Sequence, residues 1–251
     1  MSRHVTFMTI DDVDHYTPEE RAAIVEAYPE HEREARARGV PILGSGRVFP
    51  VTEESITCDP IDVPPYWPEL GAMDFGWDHP FAAVKLAWDK EADCVYVTKE
   101  YREREKTPLL HTAALKPWGK TLPWAWPRDG RNETLAGAGV SLANQYTDHG
   151  LKMHGEHAQF PDKSVSVEAG IMQMLDRMKT QRFKVFRTCS MWFEEFRLYH
   201  RKDGLIVKER DDLMSATRYG VMMLRIAVVV RLLEQATVHT AAPIEDPLAG
   251  F

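Results

Sequence analysis

The sequence predicts an α/β fold built on a mixed sheet, and three observations predict it. Three apolar runs follow one another closely between residues 71 and 100, separated by polar turns. After residue 107, stretches of helical periodicity alternate with short apolar strands. The acids that interrupt the apolar pattern fall where a strand ends or a helix begins.

The first three strands are read over Gly71–Phe75, Phe81–Trp88 and Cys94–Glu100. The turn AWDKEAD is short and polar, which predicts an antiparallel meander. Thr107-Pro108 opens a helix to about Trp118, with proline at its first position. Strand Pro123–Trp126 ends at Pro127-Arg128-Asp129-Gly130, and a glycine-rich loop leads to a helix over Val140–His149, closed by Gly150. Strand Leu151–His154, helix Val165–Lys179, strand Phe183–Phe186 and helix Met191–Tyr199 follow. Lys202-Asp203-Gly204 is a hairpin turn between Arg197–Arg201 and Leu205–Lys208. A last long helix is expected from Asp211 to about Glu234. Three antiparallel strands, then alternating helices and parallel strands, is the order of the ribonuclease H-like fold, with helices flanking the sheet.

Residues 1–60 have a different texture. HVTFMTI looks like a strand with nothing before it to pair with, as if cut from a longer protein. Thr17-Pro18-Glu19-Glu20 is a helix start signal. Gly39, Pro41, Gly44 and Gly46 mark a loop, and GRVFPVTEESI is short and extended. The expected division is an arm over 1–60 with too little apolar surface for its own core, a folded domain over 61–234 and a disordered tail over 235–251.

The 251 residues are 44% hydrophobic and 27% charged, an ordinary globular balance. Cys58, Cys94 and Cys189 form no Cys-x-x-Cys pair, so neither a disulfide framework nor a zinc–thiolate site is indicated, and a reducing setting fits. The most apolar stretch, Tyr219–Leu233, is interrupted by Arg225 and Arg231 and falls short of the ~20 residues a membrane span needs. A formal net charge of −7 argues against a stand-alone, tight nucleic-acid binder. It leaves room for an enzyme whose carboxylates hold cations, or one delivered to DNA by a partner.

Asp74 poses the main question, because Ala72, Met73 and Phe75 surround it in an apolar strand. A charge there is costly unless it is paired or binds a cation. Ligands of open α/β sheets sit at the carboxyl ends of strands. Asp74 is near one such end, Asp129 follows another, and Asp211 and Asp212 open the last helix. Each has a plain structural reading as a turn residue or helix cap. Together they suggest carboxylates converging on a hard divalent cation.

The chain resembles the nuclease portion of the large terminase subunit of tailed double-stranded DNA phages, of the headful-packaging type. The motifs that carry the resemblance are Met73-Asp74-Phe75-Gly76-Trp77-Asp78-His79-Pro80, Trp126-Pro127-Arg128-Asp129-Gly130, Val167-Glu168-Ala169-Gly170-Ile171, Trp192–Tyr199 and Asp211–Tyr219. Thr9-Ile10-Asp11-Asp12-Val13 is similar to the end of that family's motor domain and its linker. The resemblance implies an endonuclease that cuts concatemeric viral DNA, in the host cytoplasm at the assembling capsid. It also implies a motor ATPase domain, a portal and a small terminase subunit as partners. The chain has no Gly-x-x-x-x-Gly-Lys-Ser/Thr loop, so only the nuclease half is implied.

Carried over by position, Asp74 and Asp129 match the first two metal-binding acids, and Asp212 takes the third role with Asp211 as auxiliary. Many relatives have an Asp where this chain has Ser215, which lies one turn from Asp212. The expected chemistry is phosphodiester hydrolysis with two Mg²⁺ or Mn²⁺ ions, Asp74 bridging them and Asp129 and Asp212 each on one. Arg201, Lys202, Lys208 and Arg210, in and after the hairpin, are the candidate DNA contacts, or else a solvated surface. His154 and His157 suggest zinc only weakly; Asp78 and His79 suit a turn, and Glu168 and Asp176 a solvated helix face. The rival readings are a recombinase or transposase on the same fold, and a non-catalytic docking or scaffold domain.

Overall fold

The structure, a computed structural model, describes residues 9–13, 15–28, 33, 37, 46–133, 139–202 and 204–230. Most of HVTFMTI, the Gly39–Gly44 loop and the tail lie outside them.

Helix α1 spans Pro18–Glu26, and Thr17 caps it by accepting from the Glu20 amide. The short helix α2 (Glu53–Ile56) leads into β1 (Thr57–Cys58), an edge strand that the sequence pattern does not announce. β2 (Glu69–Asp74), β3 (Phe81–Asp89) and β4 (Cys94–Glu103) form the expected antiparallel meander. Then come α3 (Pro108–Leu115), β5 (Pro123–Ala125), α4 (Leu142–Asp148), β6 (Lys152–Met153), α5 (Val167–Lys179) and β7 (Phe183–Phe186). Helix α6 (Ser190–Leu198), the hairpin β8 (Arg201–Lys202) and β9 (Leu205–Ile206), and helix α7 (Asp212–Met222) complete the order.

The main sheet runs β1-β7-β4-β3-β2-β5-β6. Its β2–β3 and β3–β4 pairs are antiparallel; the pairs made by β1, β5, β6 and β7 are parallel. This is the ribonuclease H-like arrangement. Because successive side chains alternate across a strand, Ala72 and Met73 enter different cores. Ala72, Val84 and Leu86 pack with Trp192, Phe196, Leu213 and Met214 of α6 and α7. Met73, Phe81 and Ala83 pack on the opposite face with Trp124, Trp126 and Tyr146. Both faces being covered explains why these strands read as continuous apolar runs.

Helix α7 lies directly on the sheet. A Cβ at Gly220 would stand 2.5 Å from Leu86 Cδ1 and 3.1 Å from the Ala72 Cβ, so glycine permits this approach. Residues 46–49 are also part of the packing. The Val48 amide donates to the Tyr199 carbonyl at 3.1 Å, and Val48, Phe49 and Ile56 are buried in the α6–α7 core.

The last helix stops earlier than its pattern suggests. After Met222 the chain makes a 3-10 turn over Leu224–Ile226, and Val228 then pairs with Glu69, the start of β2. Val228 and Val229 are β-branched, which weakens a helix and suits an extended partner. Val228 fills the edge of β2 that β5, paired only at Gly71 and Ala72, leaves open.

Candidate active site

β2 and β5 are adjacent and parallel, so their carboxyl ends share one edge of the sheet. β2 ends at Asp74, and β5 runs through Trp126-Pro127 into a 3-10 turn, Arg128–Arg131, that holds Asp129. α7 packs against β2 with its first turn at the same edge, which brings in Asp211 and Asp212. The fold therefore gathers the four acids that are scattered through the sequence.

Their electrostatics record the crowding. Burial lifts the Asp74 carboxyl well above the usual carboxylate range, and Asp129, Asp212 and Asp211 push the same way, against Arg218. Burial also raises Asp129, opposed by its own amide and that of Gly130. Asp212 is raised by burial and by Asp211, with His79 and Arg102 opposing. Asp211 is raised by burial against Lys208, Arg218 and Ser215. Nearby, Tyr219 is pushed up to about 12 by burial and then by Asp74. Among the described residues no three His, Cys, Asp or Glu side chains are close-set enough to hold an ion as they stand. The cluster is open, and its donors are all hard oxygens. That set fits Mg²⁺ or Mn²⁺, which take few carboxylates and keep several waters.

Ser215 donates weakly to Asp211 Oδ2 at 3.5 Å, rather than to Asp212. Arg218 is buried in α7 with its guanidinium 4.4 Å over the Tyr219 ring, a counter-charge inside the cluster that the sequence reading left without a role. Gly76 allows the tight turn after β2, because a Cβ there would strike the His79 and Pro80 carbonyls. That turn puts His79 close enough to act on Asp212 and leaves Trp77 exposed.

The remaining candidates separate. Arg201 is clasped by Glu168 through 2.8 and 2.5 Å bonds, so Glu168 does more than face solvent. Asp176 likewise holds Arg182 at 2.6 Å. Lys202 and Lys208 stay in and after the small hairpin. Arg210 lines a cleft of about 440 Å³ with Pro80, Arg102, Glu103, Arg104, Glu194 and Asp212. His154 and His157 make backbone contacts through Nδ1 and do not converge on a zinc site.

Two further side chains escaped the sequence reading. Glu195 is fully buried, accepts from Arg102 at 2.7 Å and touches the backbone beside Asp212. Burial pushes it up to about 7, with Asp212 adding to the rise and Arg102 resisting it. Arg102 also binds Glu194 at 2.8 Å.

Residues 71–224 match the family model described as the terminase RNaseH-like domain. The chain belongs to this terminase nuclease family. Residues 1–56 match a second model, the N-terminal part of the T4-like-virus type of terminase large subunit. The terminase large subunit of Salmonella phage P22 is 49% identical over 231 residues, which cover 92% of this chain and 46% of that protein. The chain thus spans about half the length of the curated terminases it matches. The P22 large terminase nuclease domain superposes with a TM-score of 0.70 at 46% identity, covering 75% of this chain and 97% of that one. The nuclease domain of the phage SPP1 large terminase, solved with bound Mn, shares the terminase fold at a TM-score of 0.50 and 17% identity, over 65% of this chain and 92% of that one.

Proposed function

We propose that this terminase domain is the metal-dependent endonuclease of a DNA-packaging machine, cutting concatemeric double-stranded DNA. The observation that carries the reading is Asp74. Its carboxyl stands at a rigid strand end, strongly disfavoured as an anion by burial and by three neighbouring acids, and divalent cations would reverse that penalty. Asp74, Asp129 and Asp212 would hold two Mg²⁺ or Mn²⁺ ions, with Asp211 as auxiliary; the Mn in the SPP1 domain supports this choice. When bound, such ions supply Lewis acidity that makes water nucleophilic at neutral pH and stabilises charge on the leaving 3′ oxygen.

The chain's own residues orient the reaction. Asp74 and Asp129 sit on adjacent strand ends, so their relative position is fixed by the sheet. Arg104 and Arg210 line the cleft that ends on Asp212 and are placed to bind phosphates of the strand being cut. Lys202 and Lys208 extend that contact; Arg201 joins it only by leaving Glu168. Net charge −7 makes this grip weak and salt-sensitive, which suits a domain whose DNA is held by a motor ATPase domain of the longer protein. Portal and small-subunit partners, and action at the capsid in the host cytoplasm, belong to the same proposal.

Plasmid cleavage with Mn²⁺, Mg²⁺ or chelator tests it. Metal-dependent nicking and linearisation are expected. Wild-type protein that neither cuts DNA nor binds either ion would favour the docking-domain reading.

A further inference from the structure

Two helices meet at the acid cluster, and neither caps itself. The N-cap residue of α6 is Cys189 and that of α7 is Asp211, and neither side chain accepts from a backbone amide of its helix; the Asp211 carboxylate takes the weak bond from the Ser215 hydroxyl instead. A helix start leaves N–H groups without partners. Here carboxylates from other elements take them. Glu100, in β4, accepts from the amides of Met191 at 3.0 Å and Trp192 at 2.6 Å. Glu195, on α6, accepts from the amides of Leu213 at 2.6 Å and Met214 at 3.3 Å, in the first turn of α7. Arg102 lies two residues beyond Glu100, on the same face of β4. It donates to Glu195 Oε1 at 2.7 Å and Glu194 Oε2 at 2.8 Å.

We propose that Glu195 is a positioning residue for the metal-binding acids, the last link of a relay of carboxylate caps running from β4 through α6 to α7. The two amides it holds follow Asp212 directly, so the relay ties the Asp212 backbone to the sheet that carries Asp74. It also has a consequence for Asp211. An Asp at an N-cap ordinarily spends its carboxylate on the N2 or N3 amide. Glu195 occupies both amides, and the Asp211 charge acts on Asp74 and Asp212 instead. Glu195 has no solvent exposure and Arg102 is its charge partner, so both halves of the pair are needed.

The inference rests on the metal reading for its consequence, and the test keeps the two apart. Mn²⁺ is titrated calorimetrically into wild type, Glu195→Ala, Glu195→Gln and Ser166→Ala, with amide exchange followed at Leu213 and Met214. Ser166 caps α5 by accepting from the Ala169 amide, bonds none of the four acids, and controls for the loss of a cap alone. Glu195→Ala is expected to weaken Mn²⁺ binding by about tenfold or more, as loss of a residue that orients a metal ligand does. A glutamine has one oxygen and cannot serve both Leu213 and Arg102 as the carboxylate does, so Glu195→Gln is expected to fall between alanine and wild type. Ser166→Ala is expected to bind as wild type. Glu195→Gln binding Mn²⁺ like wild type overturns the proposal, even if Glu195→Ala does not fold. Unchanged Leu213 and Met214 exchange in Glu195→Ala overturns the relay itself. Wild type that binds no Mn²⁺ overturns the metal reading on which the positioning role depends.

Discussion

Helices α1, α4 and α5 begin on Thr17, Ser141 and Ser166, whose hydroxyls accept from the amides of Glu20, Asn144 and Ala169. Helices α6 and α7 begin on Cys189 and Asp211, whose side chains accept from no amide of the first turn, and lean on Glu100 and Glu195. The first group is fixed by neighbours three residues away. The second is fixed by residues brought in by the fold. Where a helix start lies beside the acid cluster, its amides are held by carboxylates brought in from elsewhere in the fold. Under the proposed metal role, the arrangement leaves the acids at the start of α7 available for a cation.

The largest break in this comparison is expected from Asp212→Asn. Loss of one carboxylate should cut the rate of metal-dependent cleavage by about a thousandfold, the several kcal/mol attributed to metal-assisted charge stabilisation. Its melting temperature without metal should not fall, because the carboxyl is already disfavoured as an anion by burial and by Asp211. Plasmid nicking rates and thermal melts read the two effects separately.

Glu100→Ala comes next. It leaves the Met191 and Trp192 amides without their charged acceptor and should cost about 2–3 kcal/mol in denaturant unfolding. Through α6 it should also slow cleavage. Ser166→Ala should cost only about 1 kcal/mol and leave cleavage unchanged.

A pH series sharpens the same contrast. Asp74, Asp129, Asp211 and Asp212 all have carboxyls raised in the folded state. The folded protein therefore holds protons that the unfolded chain gives up from about pH 4 upward. Stability without metal should fall as pH rises through that window, and Mn²⁺ should restore it. Thermal melts across pH, with chelator or Mn²⁺, check the sign. The smallest effect is expected at the cleft. Arg104→Ala and Arg210→Ala should each lower the salt slope of DNA binding by about one, read by fluorescence anisotropy at several salt concentrations.

The acids themselves were legible. Asp74 interrupts an apolar strand, and Asp129, Asp211 and Asp212 stand where elements end or begin. The meander was legible too, because both faces of β2 and β3 are buried and the runs are unmixed. The residues that hold the acids in place were not. Glu100 and Glu195 look like ordinary charges, and their partners lie 91 and 18 positions away. The Trp192–Tyr199 stretch marked a family resemblance without disclosing what Glu195 does. Arg201 read as a free cation because Glu168 is 33 positions from it. The end of α7 was hidden for a similar reason: its stop depends on Glu69, far upstream, offering a strand edge to Val228.

The most direct measurement is made on Asp74→Asn beside wild type, following plasmid cleavage and thermal melting with Mn²⁺ and with chelator. The substitution is expected to abolish cleavage and to raise the melting temperature of the metal-free protein. The stabilisation by Mn²⁺ expected of wild type should disappear. An Asp74→Asn protein that still cuts with Mn²⁺, or that is stabilised by the ion as wild type is, would contradict the claim that this half-buried strand-end carboxylate is there to hold a metal.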